Sequence, residues 1–284
     1  MRRTTLLFSV MLFLLSLPLS AAVQEAVHYE FRQVLQTGTD GAGPLETEGK
    51  AIVDGMNSRV EYTRSPYYPP GTFVISTNGS RNMFVVNPAN KTYAEINVGN
   101  AATALGTARI KVSNLKTSVQ ELDDHQVIAG YPTDHYRFES SYDMTVTLGS
   151  LPVTQSIHTT IDKWTTNLFP SADVGLSSNP PPTGNPELDQ LLSTEATKIK
   201  GFPLKQVMVI ATQAQNTGSG GAKEISSSRR QTAELVVTSI RTAPAAPSSF
   251  QIPPGYARME PGQTEPESNV HMLEMQPAVP APPQ

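Results

Sequence analysis

The chain has 284 residues, a formal net charge of −4 at neutral pH and no cysteine, so disulfides, thiolate metal sites, cysteine nucleophiles and a lipoprotein anchor are excluded. It has no basic stripe and no polybasic cluster, which argues against nucleic acid or an anionic membrane surface as a partner.

Residues 1–22 have the three parts of a secretory signal peptide. Two arginines precede the apolar run "LLFSVMLFLLSLPL", and the small residues "SAA" follow it. The run is shorter than the ~20 residues that a membrane-spanning helix needs, and it contains a proline. We therefore expect a mature chain that begins near Val23, is periplasmic or secreted, and has no transmembrane span. An exported chain without cysteine fits a bacterial envelope better than a secreted eukaryotic setting, where disulfides are common.

The first part of the mature chain reads as a β-meander. Apolar and polar residues alternate strictly in "VHYEFRQVL", which is the period of a half-buried strand. Asp54-Gly55 predicts a hairpin turn, and Asn78-Gly79 and "NPAN" separate three further short strands. Turn residues and alternation therefore predict an antiparallel sheet. The stretch "GNAATALGTA" comes next and is interpreted as a short helix or a loop.

The segment "HQVIAGYPTDHYRF" allows a metal-site interpretation. If its turn centres on Gly130, His125 and His135 stand opposite each other on neighbouring strands, with Cβ atoms about 4.5–5.5 Å apart. With Asp124 and Asp134 nearby, such a pair has ligands suited to zinc or copper.

The simpler interpretation of the same segment is a hairpin. Gly130 supplies the special backbone dihedral, and Pro132 fixes the exit from the turn. Tyr136 and Phe138 then define the buried phase, which places His135 on the other face as an ordinary polar strand residue. We favour the hairpin. Two further strands are predicted in "SYDMTVTL" and in the segment that ends at Trp164.

One helix is predicted, over Pro186–Lys200. Asn185 is the N-cap and proline occupies the first helical position, while Gly201 stops the helix. An apolar stripe, interrupted by Glu195, should face the concave side of the sheet and make the helix a lid hinged at Gly201. The stripe consists of Leu188, Leu191, Leu192 and Ile199. Two strands joined by the flexible "NTGSGGAK" follow.

The C-terminal segment is rich in proline and poor in apolar residues, so it cannot offset the entropy of ordering. The exception is "FQIPPGY", whose Phe250, Ile252 and Tyr256 are predicted to dock on the domain. The domains expected are therefore a signal peptide (1–22), one β-rich half-barrel domain (23–256) and a disordered proline-rich tail (257–284).

The order of "AIVDGMNSRVEY", "NPANKTYAEI", "VIAGYPTDHYRF", "KGFPL" and "FQIPPGY" resembles an uncharacterised family of exported bacterial proteins, known as a domain of unknown function. That family resembles the LolA/LolB-like lipoprotein carriers. The resemblance covers about Ala26 to Tyr256 and implies a mainly β fold, with a curved antiparallel sheet (a half-barrel) and one helix packed on its concave face. No catalytic residues are carried over, because the family has none agreed. The proline-rich tail departs from the carriers.

No G-x-S-x-G, H-E-x-x-H or Walker motif is present, so we expect a non-enzymatic protein without a cofactor. The expected ligand is hydrophobic, such as lipid or a lipoprotein segment held in a half-barrel cavity. Ten side chains are candidates for lining that cavity: Tyr29, Phe31, Tyr62, Phe73, Tyr136, Phe138, Trp164, Leu188, Leu191 and Leu192.

Two other function classes stay open. The first is an envelope protein that interacts with another protein and has a filled core. The second is a hydrolase or a metal-binding protein, which requires His125, His135, His158 and carboxylates to meet in one pocket.

Overall fold

The computed structural model describes residues 25–38, 43–79, 82–96, 109–148, 151–170, 172, 185–215 and 228–259. The predicted signal peptide, the stretch "GNAATALGTA" and nearly all of the predicted tail lie outside these residues.

Within the described residues, twelve strands make up one sheet. They are β1 (Ala26–Thr37), β2 (Leu45–Asp54), β3 (Asn57–Arg64), β4 (Phe73–Thr77), β5 (Asn82–Asn87), β6 (Thr92–Ile96), β7 (Arg109–Ile128), β8 (Tyr131–Leu148), β9 (Leu151–Thr166), β10 (Phe202–Gln215), β11 (Ser228–Ala243) and β12 (Ala257–Arg258). Their order across the sheet is β12-β6-β5-β4-β3-β2-β1-β11-β10-β9-β8-β7. All neighbours are antiparallel except the two-residue β12, which pairs parallel to β6. The predicted fold class, a single open and curved antiparallel sheet with one helix, is confirmed.

The structure has left-handed backbone conformations, with positive φ angles, at the predicted turns. Gly55 has φ 57°, and Asn78 and Gly79 have φ 55° and 65°. Ala129 and Gly130 take φ 50° and 87° between β7 and β8. Two-residue turns with positive φ match the twist of antiparallel strands, which explains why these dipeptides close hairpins.

The second half of the sheet differs from the prediction in the length of its strands. The predicted break between "HYRF" and "SYDMTVTL" is wrong, because β8 runs through it without interruption for 18 residues. Ser140 and Ser141 continue the ladder opposite Thr159 and His158 on β9. Two serines do not stop a strand whose backbone groups are paired on both sides.

The predicted helix is confirmed as α1 (Pro186–Lys198). The side chain of Asn185 accepts a hydrogen bond from the backbone N–H of Leu188 at 3.1 Å. The helix ends two residues before the predicted Lys200, because Ile199 leaves it in an extended conformation and is buried. Gly201 has φ +88°, and a Cβ there would lie 2.9 Å from the Thr166 carbonyl oxygen, so the position requires glycine.

In the part of the chain that the structure describes, three apolar clusters stabilise the sheet. The end cluster is Val27, Val53, Ile128, Trp164, Phe169, Ala172, Phe202, Leu204, Val237 and Ile240. The meander cluster is Phe73, Ile75 and Val86, with Phe84, Tyr93, Phe250, Ile252 and Tyr256 against it. The helix cluster is Phe138, Ile161 and Ile199, with Val119, Tyr136, Leu191 and Met208 against it. The predicted docking of Phe250, Ile252 and Tyr256 is therefore confirmed; the first of them ends a short 3₁₀ helix, Pro247–Phe250.

Candidate functional site

A row of apolar side chains crosses six strands on one face of the sheet. Residues paired across antiparallel strands share a face, so the strand register defines the row. This apolar row is Phe138, Ile161, Met208, Ala233, Leu35 and Leu45, on β8, β9, β10, β11, β1 and β2. Five spacings of ~4.8 Å make it about 24 Å long. Leu191 and Ile199 pack on Phe138 and Ile161, so α1 lies on this face, which we call the helix face.

Burial declines along the apolar row. Phe138 and Ile161, beside the helix, are 1% and 7% exposed. Ala233, Leu35 and Leu45, at the other end, are only half-buried. The helix therefore covers one end of a continuous apolar surface and leaves the other end partly open to water.

The helix itself is only partly buried against the sheet. None of its residues is buried, and Leu188, Leu191 and Leu192 are all half-buried. Glu195, which interrupts the leucine stripe, forms an ion pair with Lys163 of β9 at 2.5 Å. Both side chains are largely screened from water, at 16% and 14% exposure, so the loss of either partner leaves a poorly solvated charge.

Five of the predicted lining residues lie on the helix face. They are Tyr29, Phe31, Tyr62, Tyr136 and Phe138. The Phe31 ring covers Gly49, where an added Cβ would come within 2.8 Å of it, so glycine is needed there. Burial, with a smaller contribution from Tyr62, raises the pKa of Tyr29 to about 12, so that hydroxyl stays neutral in the physiological range.

The register places Phe73 and Trp164 on the opposite face. Val74 pairs with Val60 and shares the face of Tyr62, so its neighbour Phe73 points the other way. Phe73 belongs to the meander cluster, with the Arg59 guanidinium 3.5 Å above its ring. Trp164 pairs with His135, one position away from the helix-face residue Tyr136. The structure therefore does not bring all ten predicted residues together.

The histidine pair that the metal-site interpretation requires does not form. The turn centres between Ala129 and Gly130, and Leu122 rather than His125 pairs with His135. His125 is exposed, with Nδ1 3.6 Å from Asp134 Oδ1, and His158 lies elsewhere on β9. Within the described residues, no three His, Asp or Glu side chains are placed to hold a metal ion. The hairpin interpretation is confirmed.

His135, however, is not the ordinary polar strand residue that was predicted. It is 4% exposed and stacks on Trp164, with ring centroids 4.1 Å apart. Its Nε2 lies 3.0 Å from Asp162 Oδ1. Its Nδ1 lies 3.3 Å from Asp124 Oδ2 without a well-aligned hydrogen bond. A bulge between Leu122 and Gln126 carries Asp124 to this position, and that bulge is what the sequence pattern did not reveal.

Asp162 is the fixed anion of this group. Burial by itself raises its pKa, but hydrogen bonds from Arg137 and His135 outweigh burial and hold the pKa below its usual range. Arg137 donates from Nε at 2.8 Å and from Nη2 at 3.0 Å. The group therefore links β7, β8 and β9 through an ionised carboxylate, which is a structural role.

A groove of about 790 Å³ lies along the halves of β7–β11 that are far from the Ala129-Gly130 turn. Most of its lining residues are polar or charged, among them Lys116, Asp143, His158 and Arg230. The register places these four side chains on the face opposite the helix. No sequence motif indicated this groove.

Comparison with known proteins identifies a family and two structural relatives. The family model described as "Domain of unknown function (DUF4412)" matches residues 45–256. A LolA superfamily protein from Nitrosomonas europaea is similar in structure, with a TM-score of 0.31, 10% identity and coverage of 80% of this chain and 90% of that one. A DUF1329 family protein from Desulfovibrio piger gives a TM-score of 0.30 and 10% identity, with 81% and 91% coverage. Among curated proteins, none matches this chain in sequence.

Proposed function

This chain belongs to the DUF4412 family, whose description assigns no function, and we propose that it is a non-enzymatic carrier or binding protein for an elongated hydrophobic ligand. The ligand, an acyl chain or a lipoprotein segment, lies on the apolar row with α1 as its cover. The observation that carries the proposal is the decline in burial from Phe138 to Leu45 along one continuous row.

The free energy for binding comes from the half-buried end of the row. Burying apolar surface contributes about 25 cal/mol per Å², so a chain laid over Met208, Ala233 and Leu35 gains from area that folding left accessible. An elongated ligand fits better than a compact one, because the row is a strip that runs across the strands rather than a closed chamber.

The seating of α1 supports its role as a cover. A helix of 13 residues is marginal in water by itself, so its contacts with the sheet maintain it. Those contacts include Leu191 in the middle of the helix, Glu195 in its C-terminal half and Ile199 directly after it. The N-terminal end can therefore lift about Gly201 while the C-terminal end stays attached.

The place of action that we propose is the periplasm or the exterior of the cell. The signal-peptide pattern of residues 1–22 supports it. Among the described residues, no helix combines the length and the apolar character needed to span a membrane.

The test is binding of the neutral dye N-phenyl-1-naphthylamine to the mature protein, followed by its displacement with fatty acid. Ala233→Glu places a charge in the middle of the apolar row, and we expect it to weaken dye binding at least tenfold. Thr232→Glu is the matched control, because it adds the same charge one residue away on the opposite face. Both variants should retain cooperative unfolding. Equal binding by the two folded variants would overturn the proposal.

A further inference from the structure

We propose that the groove on the face opposite the helix is a second binding site, specific for a phosphate- or sulfate-bearing molecule. We call it the basic groove, and it does not depend on the proposed hydrophobic site. The two sites lie on opposite faces of the same strands, so they are separable by mutation.

The strand register gives the basic groove a regular arrangement of charge. Lys116 pairs with Ser141, Ser141 with His158, His158 with Ala211, and Ala211 with Arg230. Basic side chains thus alternate with small ones in a single line across β7–β11. With strands ~4.8 Å apart, successive basic residues are about 10 Å apart at the backbone. Ser141 and Ala211 leave open floor between them, over which the long lysine and arginine side chains can converge on one ligand.

The basic side chains of this line are not neutralised within the described part of the chain. Lys116, His158 and Arg230 form none of the ion pairs found there. Among the described residues that line the groove, two permanent cations, Lys116 and Arg230, face one carboxylate, Asp143. Arg229 also contributes to the lining, but it pairs with Thr212 and therefore belongs to the helix face. This local excess of positive charge stands out in a protein whose net charge is −4.

Both carboxylate oxygens of Asp143 accept hydrogen bonds from neighbouring side chains. Ser156 Oγ donates to its Oδ1 at 2.6 Å, and Asn114 Nδ2 donates to its Oδ2 at 2.7 Å. These two hydrogen bonds, the one from Ser156 first, hold the pKa of Asp143 below its usual range. The carboxylate therefore fixes the bulged Asn114 as one wall of the groove, and Asp143 itself lies two residues along β8 from Ser141 of the basic line, on the same face.

The chemistry of the groove selects an oxyanion on a larger polar molecule. Arginine offers a planar fork of donors that matches phosphate and sulfate, and lysine adds a point charge. A volume of about 790 Å³ is far larger than one inorganic anion needs, and the lining beyond the cations includes hydroxyl and amide side chains such as Ser156 and Gln213. A sugar phosphate and a phospholipid headgroup share this chemistry.

The experiment is titration calorimetry on the full mature chain at low salt. The probes are inorganic phosphate, glucose 6-phosphate, and vesicles of phosphatidylglycerol with phosphatidylcholine vesicles as the neutral reference. We expect binding of glucose 6-phosphate or of phosphatidylglycerol vesicles, weaker binding of inorganic phosphate, and loss of affinity as salt is added. Binding of the soluble sugar phosphate identifies a soluble ligand, and binding of the anionic vesicles alone identifies a headgroup.

The variants distinguish a built site from general electrostatic attraction. Lys116→Gln with Arg230→Gln should weaken binding at least tenfold. Ala211→Glu, at an exposed position on the groove floor, should do the same without removing a cation. Lys50→Gln with Arg32→Gln is the control that removes the same charge at exposed positions outside the groove, and it should change affinity less than twofold. Failure of every probe to bind, or an equal loss in groove and control variants, would overturn the proposal. Dye binding on the helix face should be unchanged in all of these variants, so the two proposals fail independently.

Discussion

The two halves of the sheet differ in how completely they are packed. Strands β2–β6 are 5 to 10 residues long and are closed by the meander cluster, over which Phe250, Ile252 and Tyr256 are docked. Strands β7–β11 are 14 to 20 residues long and carry a lightly seated helix on one face and a polar groove on the other. A filled meander supports the sheet, and the long strands offer surface for ligands.

The largest expected effect lies in the meander. Phe73→Ala should lower the free energy of unfolding by about 3–5 kcal/mol, because Phe73 is 2% exposed and the cavity left by its ring cannot collapse fully. Urea unfolding measures the change, and added fatty acid should leave it unaltered. A loss below 1 kcal/mol, or rescue by fatty acid, would mean that the meander is not the filled half.

A smaller effect is expected where β8 and β9 meet the bulge of β7. Asp162→Asn should cost about 2 kcal/mol near neutral pH, because it weakens charge-assisted hydrogen bonds to Arg137 and His135. The folded-state pKa of Asp162 is depressed, so its contribution is present above the unfolded-state pKa of about 3.9 and is lost as pH falls through the folded value. Urea unfolding at a series of pH values should therefore show a steeper acid loss in the wild type than in the variant. Parallel curves would contradict the role of Asp162 as a fixed anion.

The helix should respond less than either of these regions. Leu191→Ala should cost about 1 kcal/mol, below the 2–5 kcal/mol of a fully packed leucine, because Leu191 is only half-buried. The cost should increase when fatty acid is bound, since the ligand then contacts the missing side chain. The control is Thr197→Ala on the exposed side of α1, which should change stability by less than about 0.5 kcal/mol. A large cost for Leu191→Ala that fatty acid does not change would indicate a filled core under the helix.

The N-cap should give the smallest effect on global stability. Asn185→Ala removes the hydrogen bond that the Leu188 N–H donates to the Asn185 side chain. An N-cap side chain of this kind stabilises a helix by about 1 kcal/mol. Because Leu191, Glu195 and Ile199 also hold α1 on the sheet, we expect a loss of only a few tenths of a kcal/mol in urea unfolding. Helix amides should nevertheless exchange faster with deuterium. Unchanged exchange would show that the N-terminal end is held by contacts other than its cap.

The contrast between the halves also explains what the sequence could predict. Turn dipeptides such as Asn78-Gly79 impose a backbone geometry by themselves, and a cap such as Asn185 marks a helix start, so the meander turns and the first residue of α1 could be predicted from local sequence. The lining residues could be predicted only in part. Alternation shows which residues of a strand are buried, but it does not show on which face of the sheet those residues lie. Phe73 and Trp164 fit the apolar phase of their own strands and still lie opposite the helix.

Features that depend on register were missed for the same physical reason. The line of Lys116, His158 and Arg230 exists only once four strand pairings are fixed. In the sequence, Glu195 only interrupts an apolar stripe; the structure explains it by the ion pair with Lys163. Its one sequence signal was that Lys163 shares the phase of the buried Ile161.

The most direct test is hydrogen exchange of the mature protein with and without saturating fatty acid. Ligand between the helix and the apolar row should slow exchange in α1 and leave β4–β6 unchanged, because β4–β6 contain no part of the row. The Ala233→Glu variant should show no such protection, and Thr232→Glu should behave as the wild type. Protection that appears in β4–β6, or that spares α1 while ligand is bound, would contradict a hydrophobic site covered by this helix.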